Sequence, residues 1–193
     1  MNIRQAAFKY RGLTPIPFIL LLIYQSKMSG WSAVVGLILV IAGEALRISG
    51  VRIAGGRTRT RNVGAKQLST AGIYSHVRNP LYLGNILIYL GFALFAGGPW
   101  LPWLVVISLT FFIIQYGLII SLEEKTLSNL FREKYAEYVQ NVPRLVPRLT
   151  AWQADNTIAP VPWRRVFKAE KSTLINQTTI FLIMILKEVL INK

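Results

Sequence analysis

At 193 residues, 53% hydrophobic and only 16% charged, the chain departs from a soluble domain, in which about a quarter of residues carry charge. Its mean hydropathy of +0.43 comes from long apolar runs, which read as an integral membrane protein. The 22 Lys and Arg against 8 Asp and Glu leave a formal net charge of +14. These basic residues flank the apolar runs, so the partner they fit is an anionic lipid bilayer, and nucleic acid is argued against. The lack of cysteine excludes disulfides, Fe–S clusters, thiolate zinc sites and cysteine nucleophiles, and a lone histidine, His76, argues against a protein-bound metal centre.

Residues 1–12 read as a basic arm with Arg4, Lys9 and Arg11. A first span is expected at 13–25, kinked by Pro15 and Pro17. No small-residue cleavage site follows it, so it reads as a span and not as a removable leader. A second span at 31–53 carries Gly36 and Gly43, where helices can approach closely. It also carries Glu44 and Arg47, three apart on one face, a costly pair at membrane depth that pairs internally or serves function. A basic loop with the flexible Gly55 and Gly56 follows at 52–66, then spans at 81–97 and 100–122. The short uncharged Gly97, Gly98, Pro99 turn between those two makes them an antiparallel pair.

Beyond Leu122 the pattern changes. Leu127, Leu130, Phe131, Tyr135, Tyr138 and Val142 recur at three- and four-residue intervals, the signature of an amphipathic helix over 123–142 that Pro143 ends. Residues 144–172 are basic and loop-like, with Trp152 and Trp163 suited to the lipid–water interface. The apolar run 174–190 is interrupted by Asn176, Gln177, Lys187 and Glu188 and fits a span or an interfacial helix. The fold expected is therefore all-α: a bundle of four to five transmembrane spans with a cytoplasmic amphipathic helix closing a cofactor cleft. Residues 1–150 read as the membrane domain, and 151–193 as a basic linker and C-terminal apolar helix. Lys and Arg concentrate in the N-terminal arm, the 52–66 loop and 123–172, which puts all three on the cytoplasmic face.

Two stretches carry chemistry. In Arg78-Asn79-Pro80-Leu81-Tyr82-Leu83-Gly84, Pro80 starts a helix. Arg78 and Asn79 then sit at its positive end, which readily binds a carboxylate or phosphate. Gly84 leaves room for a ligand's close approach. A capped helix with a snorkelling arginine accounts for the same residues. In the second stretch, Glu123 and Glu124 point about 100° apart on a helix, so one faces the bundle while the other meets water. Such a carboxylate is suited to an ammonium or sulfonium group; an ordinary acidic helix start reads the same way. Glu124 and Arg78 are the candidate catalytic groups, and His76 reads as a solvated loop residue. No G-x-G-x-x-G segment is present, which argues against a Rossmann-type site.

The segment Leu68–Gly84, with Gly72-Ile73-Tyr74 preceding Arg78 to Gly84, resembles the isoprenylcysteine carboxyl methyltransferase and phospholipid methyltransferase superfamily. Glu123 and Glu124 followed by Leu127, Phe131, Tyr135, Tyr138, Val142, Pro143 and Pro147 resemble it too, so the similarity covers roughly residues 30–150. The resemblance implies S-adenosylmethionine bound beside the cytoplasmic membrane surface. It implies methyl transfer to a hydrophobic or lipidated acceptor through a carboxylate, amine or thiol. Cofactor contacts are implied for Lys66, Gln67, Leu68, Ser69, Tyr74, Asn79, Pro80, Leu81, Tyr82 and Glu123. By their charges alone, Arg78 and the helix end suit the cofactor's carboxylate, and Glu123 its ammonium. The eukaryotic prenylcysteine enzymes carry His where this chain has Asn79, and a substrate-contacting Arg where it has Ile119. The first difference keeps a hydrogen-bonding side chain; the second removes an expected contact to a prenylcysteine carboxylate. Membrane sterol reductases, which use NADPH, share a comparable helix start and late Tyr and Val-Pro, and a non-catalytic lipid-binding subunit is a third reading.

Overall fold

The computed structural model describes residues 2–55, 67–153 and 159–191. Its helices are α1 (Ile3–Tyr10), α2 (Ile16–Gln25), α3 (Gly30–Ala54), α4 (Pro80–Ala96), α5 (Leu101–Asn141) and α6 (Trp163–Leu190), with a 3₁₀ turn at Gly72–Ser75. The expected all-α class holds, and among the described residues an isolated bridge between Lys27 and Gly97 is the only strand-like pairing.

Glycine decides how α3 and α4 meet. Gly36, Gly43 and Gly50 recur every seven residues on α3 and face Gly91, Gly84 and Leu81 on an antiparallel α4. A Cβ on Gly43 would stand 2.6 Å from the Gly84 carbonyl, and one on Gly91 would stand 2.6 Å from the Gly36 carbonyl. The two backbones therefore touch along a seam that larger residues would wedge open, the packing mode small residues serve between membrane helices. The space that Gly84 leaves is taken by the Gly43 carbonyl and the Arg47 side chain. The opposite face of α4 is aromatic: Tyr89 stacks on Phe112 of α5 at 4.0 Å, and Phe112 in turn stacks on Tyr116.

Among the described residues three helices, α3, α5 and α6, are long and apolar enough to cross a bilayer. The expected span at 13–25 is α2, whose ten residues reach only about 15 Å, half of a hydrocarbon core about 30 Å thick. The span expected at 81–97 is the 17-residue α4, also among the shorter apolar helices. Exposed apolar side chains such as Leu37, Ile38, Ile41, Ile107, Ile114, Leu182 and Leu186 give the long helices lipid-compatible outer faces. Tyr24, Trp31, Trp100 and Trp103, all exposed, gather at the end that carries the uncharged turn, as interfacial aromatics do.

The basic arm expected at 1–12 is largely helical: Asn2 and Gln5 form a capping box, and Phe8 is buried against Phe112, Tyr116, Ile119 and Ile120. α6 is built into the bundle. Met184 is fully buried, Phe181 packs its ring on Phe92 and Phe95, and Lys187 Nζ donates to the carbonyls of Ile23, Tyr24 and Ser26, capping α2.

The amphipathic segment expected to begin at 123 continues α5 without a break until Arg132, whose φ of 42° and ψ of −113° interrupt the helix. Among the described residues no other non-glycine has positive φ. Glu124 and Val139 both reach the Arg78 guanidinium, yet in a straight helix they would lie about 22 Å apart. The kink thus turns the last turns of α5 back onto the start of α4. Tyr135, Tyr138 and Val142 are then buried with Leu68, and Tyr138 Oη donates to the Tyr74 carbonyl at 2.7 Å.

The seam yields a direct test. Gly43→Ala is expected to lower stability by about 1–3 kcal/mol through overpacking, read as thermal unfolding in detergent. Gly117→Ala on α5, with nothing within 4 Å of the added Cβ, is expected to be neutral or stabilising. Equal effects would refute the seam.

Candidate cofactor and acceptor site

Pro80 opens α4 and Asn79 occupies its N-cap position with φ −127° and ψ 58°. The Asn79 carbonyl accepts the first helical bond from Leu83, while its side chain leaves the cap and donates to the Arg144 carbonyl at 3.1 Å. Arg78 acts as a clasp. Its Nη1 donates to the carbonyls of Val139 (2.9 Å) and Val142 (3.0 Å), and its Nη2 donates to Glu124 at 3.1 Å. Arg144 closes on the same carboxylate from outside. The backbone follows: Arg78 N–H donates to Pro143, Arg148 N–H to His76 and Trp152 N–H to Ser75, so residues 143–152 run as a strap beside 75–78. His76, on the 75–78 side, is tied to this strap, its Nδ1 2.9 Å from the Arg148 carbonyl.

Glu123 faces inward. Its carboxylate accepts a 2.8 Å hydrogen bond from Tyr82 Oη on the first turn of α4. Tyr74 lies close enough to feel the Glu123 charge; burial first and that charge second push its hydroxyl above the ordinary tyrosine range, so it stays protonated. Arg11, at the end of α1, stacks on Phe8 at 3.9 Å and donates to the Phe8 carbonyl, within electrostatic reach of Glu123. The adjacent carboxylates thus divide as their 100° separation requires: Glu124 belongs to the clasp and Glu123 to the interior.

Behind Tyr82 opens a cavity of about 690 Å³ between α2, α4, α5 and α6, within the 300–1,000 Å³ usual for ligand pockets. Ile16, Ile19, Leu20, Ile88 and Phe92 supply an apolar wall; Asn85, Tyr116, Thr173 and Gln177 supply a polar one. The charged side chains among its lining residues are Arg11 and Arg47.

Of the residues singled out in the sequence, Tyr74, Arg78, Asn79, Tyr82, Glu123 and Glu124 gather where α4 begins. Pro80 is buried there, and Leu81 lines the cavity while packing its side chain on Gly50. Leu68 lies in the aromatic cluster with Tyr138, Ser69 is half-buried beside it, and Gln67 is exposed. Lys66 and most of the 52–66 loop lie outside the described residues. Arg78 and Glu124, the candidate catalytic groups, are bound to one another, an arrangement that fixes two elements and presents neither a free acid nor a free base. Arg78 is likewise committed to carbonyls and Glu124, which redirects the expectation that it meets a cofactor carboxylate. Sequence reasoning missed Arg144, Asn85, Tyr116 and Glu170. Asn85, one residue past Gly84, was the most visible of these, a polar side chain inside an apolar run.

A helical membrane protein with a half-polar, half-apolar chamber, one of whose lining tyrosines holds a buried carboxylate, is the class these features define. The family model for phospholipid methyltransferases matches residues 31–134, and the chain belongs to that family. It is 29% identical over 129 residues to protein-S-isoprenylcysteine O-methyltransferase B of Arabidopsis thaliana, covering 63% of this chain and 62% of that protein. It is 32% identical over 126 residues to the protein-S-isoprenylcysteine O-methyltransferase of Xenopus laevis, covering 63% of this chain and 42% of that one. The cobalt-zinc-cadmium resistance protein CzcN of Cupriavidus metallidurans is 34% identical over 90 residues, 47% of this chain and 40% of that protein. The matched region thus spans less than two thirds of each relative's length. Among the described residues, no group of three or more His, Cys, Asp or Glu side chains is placed to hold a metal. No solved structure matches significantly.

The clasp separates two arginines by burial. The Arg78 and Glu124 side chains are 10% and 15% exposed, whereas Arg144 is 46% exposed. Arg78→Met, which leaves a shielded carboxylate short of its inner partner, is expected to cost about 3 kcal/mol. Arg144→Met is expected to cost under about 1 kcal/mol. Thermal unfolding in detergent reads both, and a reversed order would place the clasp's strength in the outer arginine.

Proposed function

We propose that the chain transfers a methyl group from S-adenosylmethionine to the polar end of a lipid or lipid-like acceptor, at the cytoplasmic surface of the membrane. The observation that carries this reading is the hydrogen bond that Glu123 accepts from Tyr82, a residue that itself lines the chamber. The donor set fits the cofactor's chemistry: Glu123 would hold its ammonium group, and the N-terminus of α4, with unpaired backbone N–H groups in its first turn, would hold its carboxylate. When bound, that cofactor supplies a methyl group on a cationic sulfur, and the carbon–sulfur bond breaks as an acceptor lone pair bonds to the carbon, leaving a neutral thioether.

The chain's own contribution is placement. Tyr82 fixes the Glu123 carboxylate, Tyr74 stays neutral beside it, and the chamber draws the acceptor's polar end toward Tyr82 while its chain lies along Ile16, Ile19 and Leu20. Alignment of two reactants supplies up to about 7–11 kcal/mol of a barrier in ideal cases, and a displacement of this kind depends on alignment and excluded water more than on a strong base. Family membership and the O-methyltransferase names of two relatives support the reaction class. The basic strap and the N-terminal arm support a cytoplasmic site by the positive-inside rule.

Calorimetry on purified protein tests this. S-adenosylhomocysteine is expected to bind, and Glu123→Gln to weaken it about tenfold or more through loss of a charged hydrogen bond. Binding of NADPH with none for S-adenosylhomocysteine would overturn the proposal in favour of a reductase.

A further inference from the structure

The chamber's polar wall reaches beyond the family-matched residues 31–134, because α6 supplies part of it. Glu170, fully buried on α6, accepts from Arg47 Nη2 at 2.6 Å, and Arg47 Nη1 donates to Asn85 Oδ1 at 2.5 Å. Arg47 also pairs with Glu44 at 3.5 Å, and Glu44 accepts from Gln177 of α6 at 2.9 Å. A guanidinium carries donors only, so the Asn85 atom that meets it has to be the oxygen. This fixes the orientation of the amide: of the two Nδ2 N–H donors, one is directed to the Tyr116 hydroxyl and the other is left for the chamber that Asn85 lines. Asn85 follows Tyr82 by three residues and shares its helix face, so the donor stands on the same wall as the hydroxyl that holds Glu123.

We propose that Asn85 is a specificity-determining residue whose second amide N–H, the one not directed to Tyr116, donates to the polar end of the acceptor, and that Glu170, acting through Arg47, is the positioning residue that holds it. The ligand class is an amphiphile whose polar end presents hydrogen-bond-accepting oxygen. Among the charged side chains that line the chamber, Arg11 and Arg47, neither is of a sign to hold an ammonium head, and the carboxylates nearest Arg47, Glu44 and Glu170, are occupied with it. The seam sets the geometry: Arg47 packs its Cγ against Gly84, where a Cβ would come within 2.8 Å. The inference rests on the methyltransferase reading, which the experiment tests separately.

Asn85→Asp keeps an oxygen for Arg47 and replaces the chamber-facing donor by an acceptor. Full-length protein is assayed with labelled S-adenosylmethionine and a titrated total lipid extract of native membranes, the labelled product being identified by mass. Asn85→Asp is expected to raise the apparent KM for the extract about tenfold, with S-adenosylhomocysteine affinity and thermal midpoint preserved. Glu170→Gln is expected to raise the KM less. The double variant should be no worse than Asn85→Asp alone, because both act on one contact; additive losses would reduce Glu170 to a structural role and overturn its part. An unchanged KM in Asn85→Asp overturns the donor assignment, and a product methylated on an amine lipid overturns the ligand class. Wild-type protein that binds S-adenosylhomocysteine yet labels no lipid removes the acceptor from this chamber. Absence of S-adenosylhomocysteine binding refutes the methyltransferase reading beneath it.

Discussion

Backbone contact between α3 and α4 sets the position of nearly every group discussed above. Hydrophobic burial offers little to drive one apolar helix against another inside a lipid bilayer, so close packing and polar contacts have to hold the bundle. Gly43 against Gly84 and Gly36 against Gly91 give that closeness. The consequence is geometric. With Gly84 locked, Tyr82 lies two residues toward the start of α4 and Asn85 one residue beyond, so a single contact indexes both the residue that holds Glu123 and the one that meets Arg47. Ordinary side chains in the seam would push the helices apart and move Asn85 out of reach of Arg47.

A second constraint acts on the far side of α4. Two carboxylates adjacent in sequence do different work because the helix points them apart, and the kink at Arg132 gives the outer one its partners. Arg78 ties the carbonyls of Val139 in α5 and of Val142 just past its end to Glu124, which holds the strap of residues 143–152 over the start of α4. The strained backbone at Arg132, worth about 1–3 kcal/mol, is offset by what the reversal permits, including burial of Tyr135, Tyr138 and Val142 and the Tyr138–Tyr74 hydrogen bond. The clasp and the inner carboxylate thus form one assembly: the first fixes the wall, and the second is held by Tyr82, which lines the chamber.

Much of this was legible in the sequence. Apolar length marked α3, the first part of α5 and the 174–190 stretch of α6, though the opening turns of α6 from Trp163 read as loop; glycine spacing marked the close approach, and Pro80 marked the start of α4. Three things were not legible, each for a physical reason. Periodicity continues unbroken across Leu122 into the amphipathic segment, so it cannot place a reversal that depends on one residue's φ. The commitment of Arg78 and Glu124 to each other requires that reversal, so in sequence they looked like free chemical groups. The third is the joining of Glu170 to Arg47 across 123 residues, which no local pattern encodes; the polar interruptions of the last apolar run pointed only to a helix with something to pair.

A structure determined with S-adenosylhomocysteine bound tests the central claim most directly. The expected result places the ligand's amino group in hydrogen-bonding contact with the Glu123 carboxylate beside Tyr82, with its sulfur turned toward the chamber and the Arg78–Glu124 clasp intact. Ligand bound away from Glu123, or a clasp opened so that Arg78 grips the ligand, would contradict the division of labour between the two carboxylates.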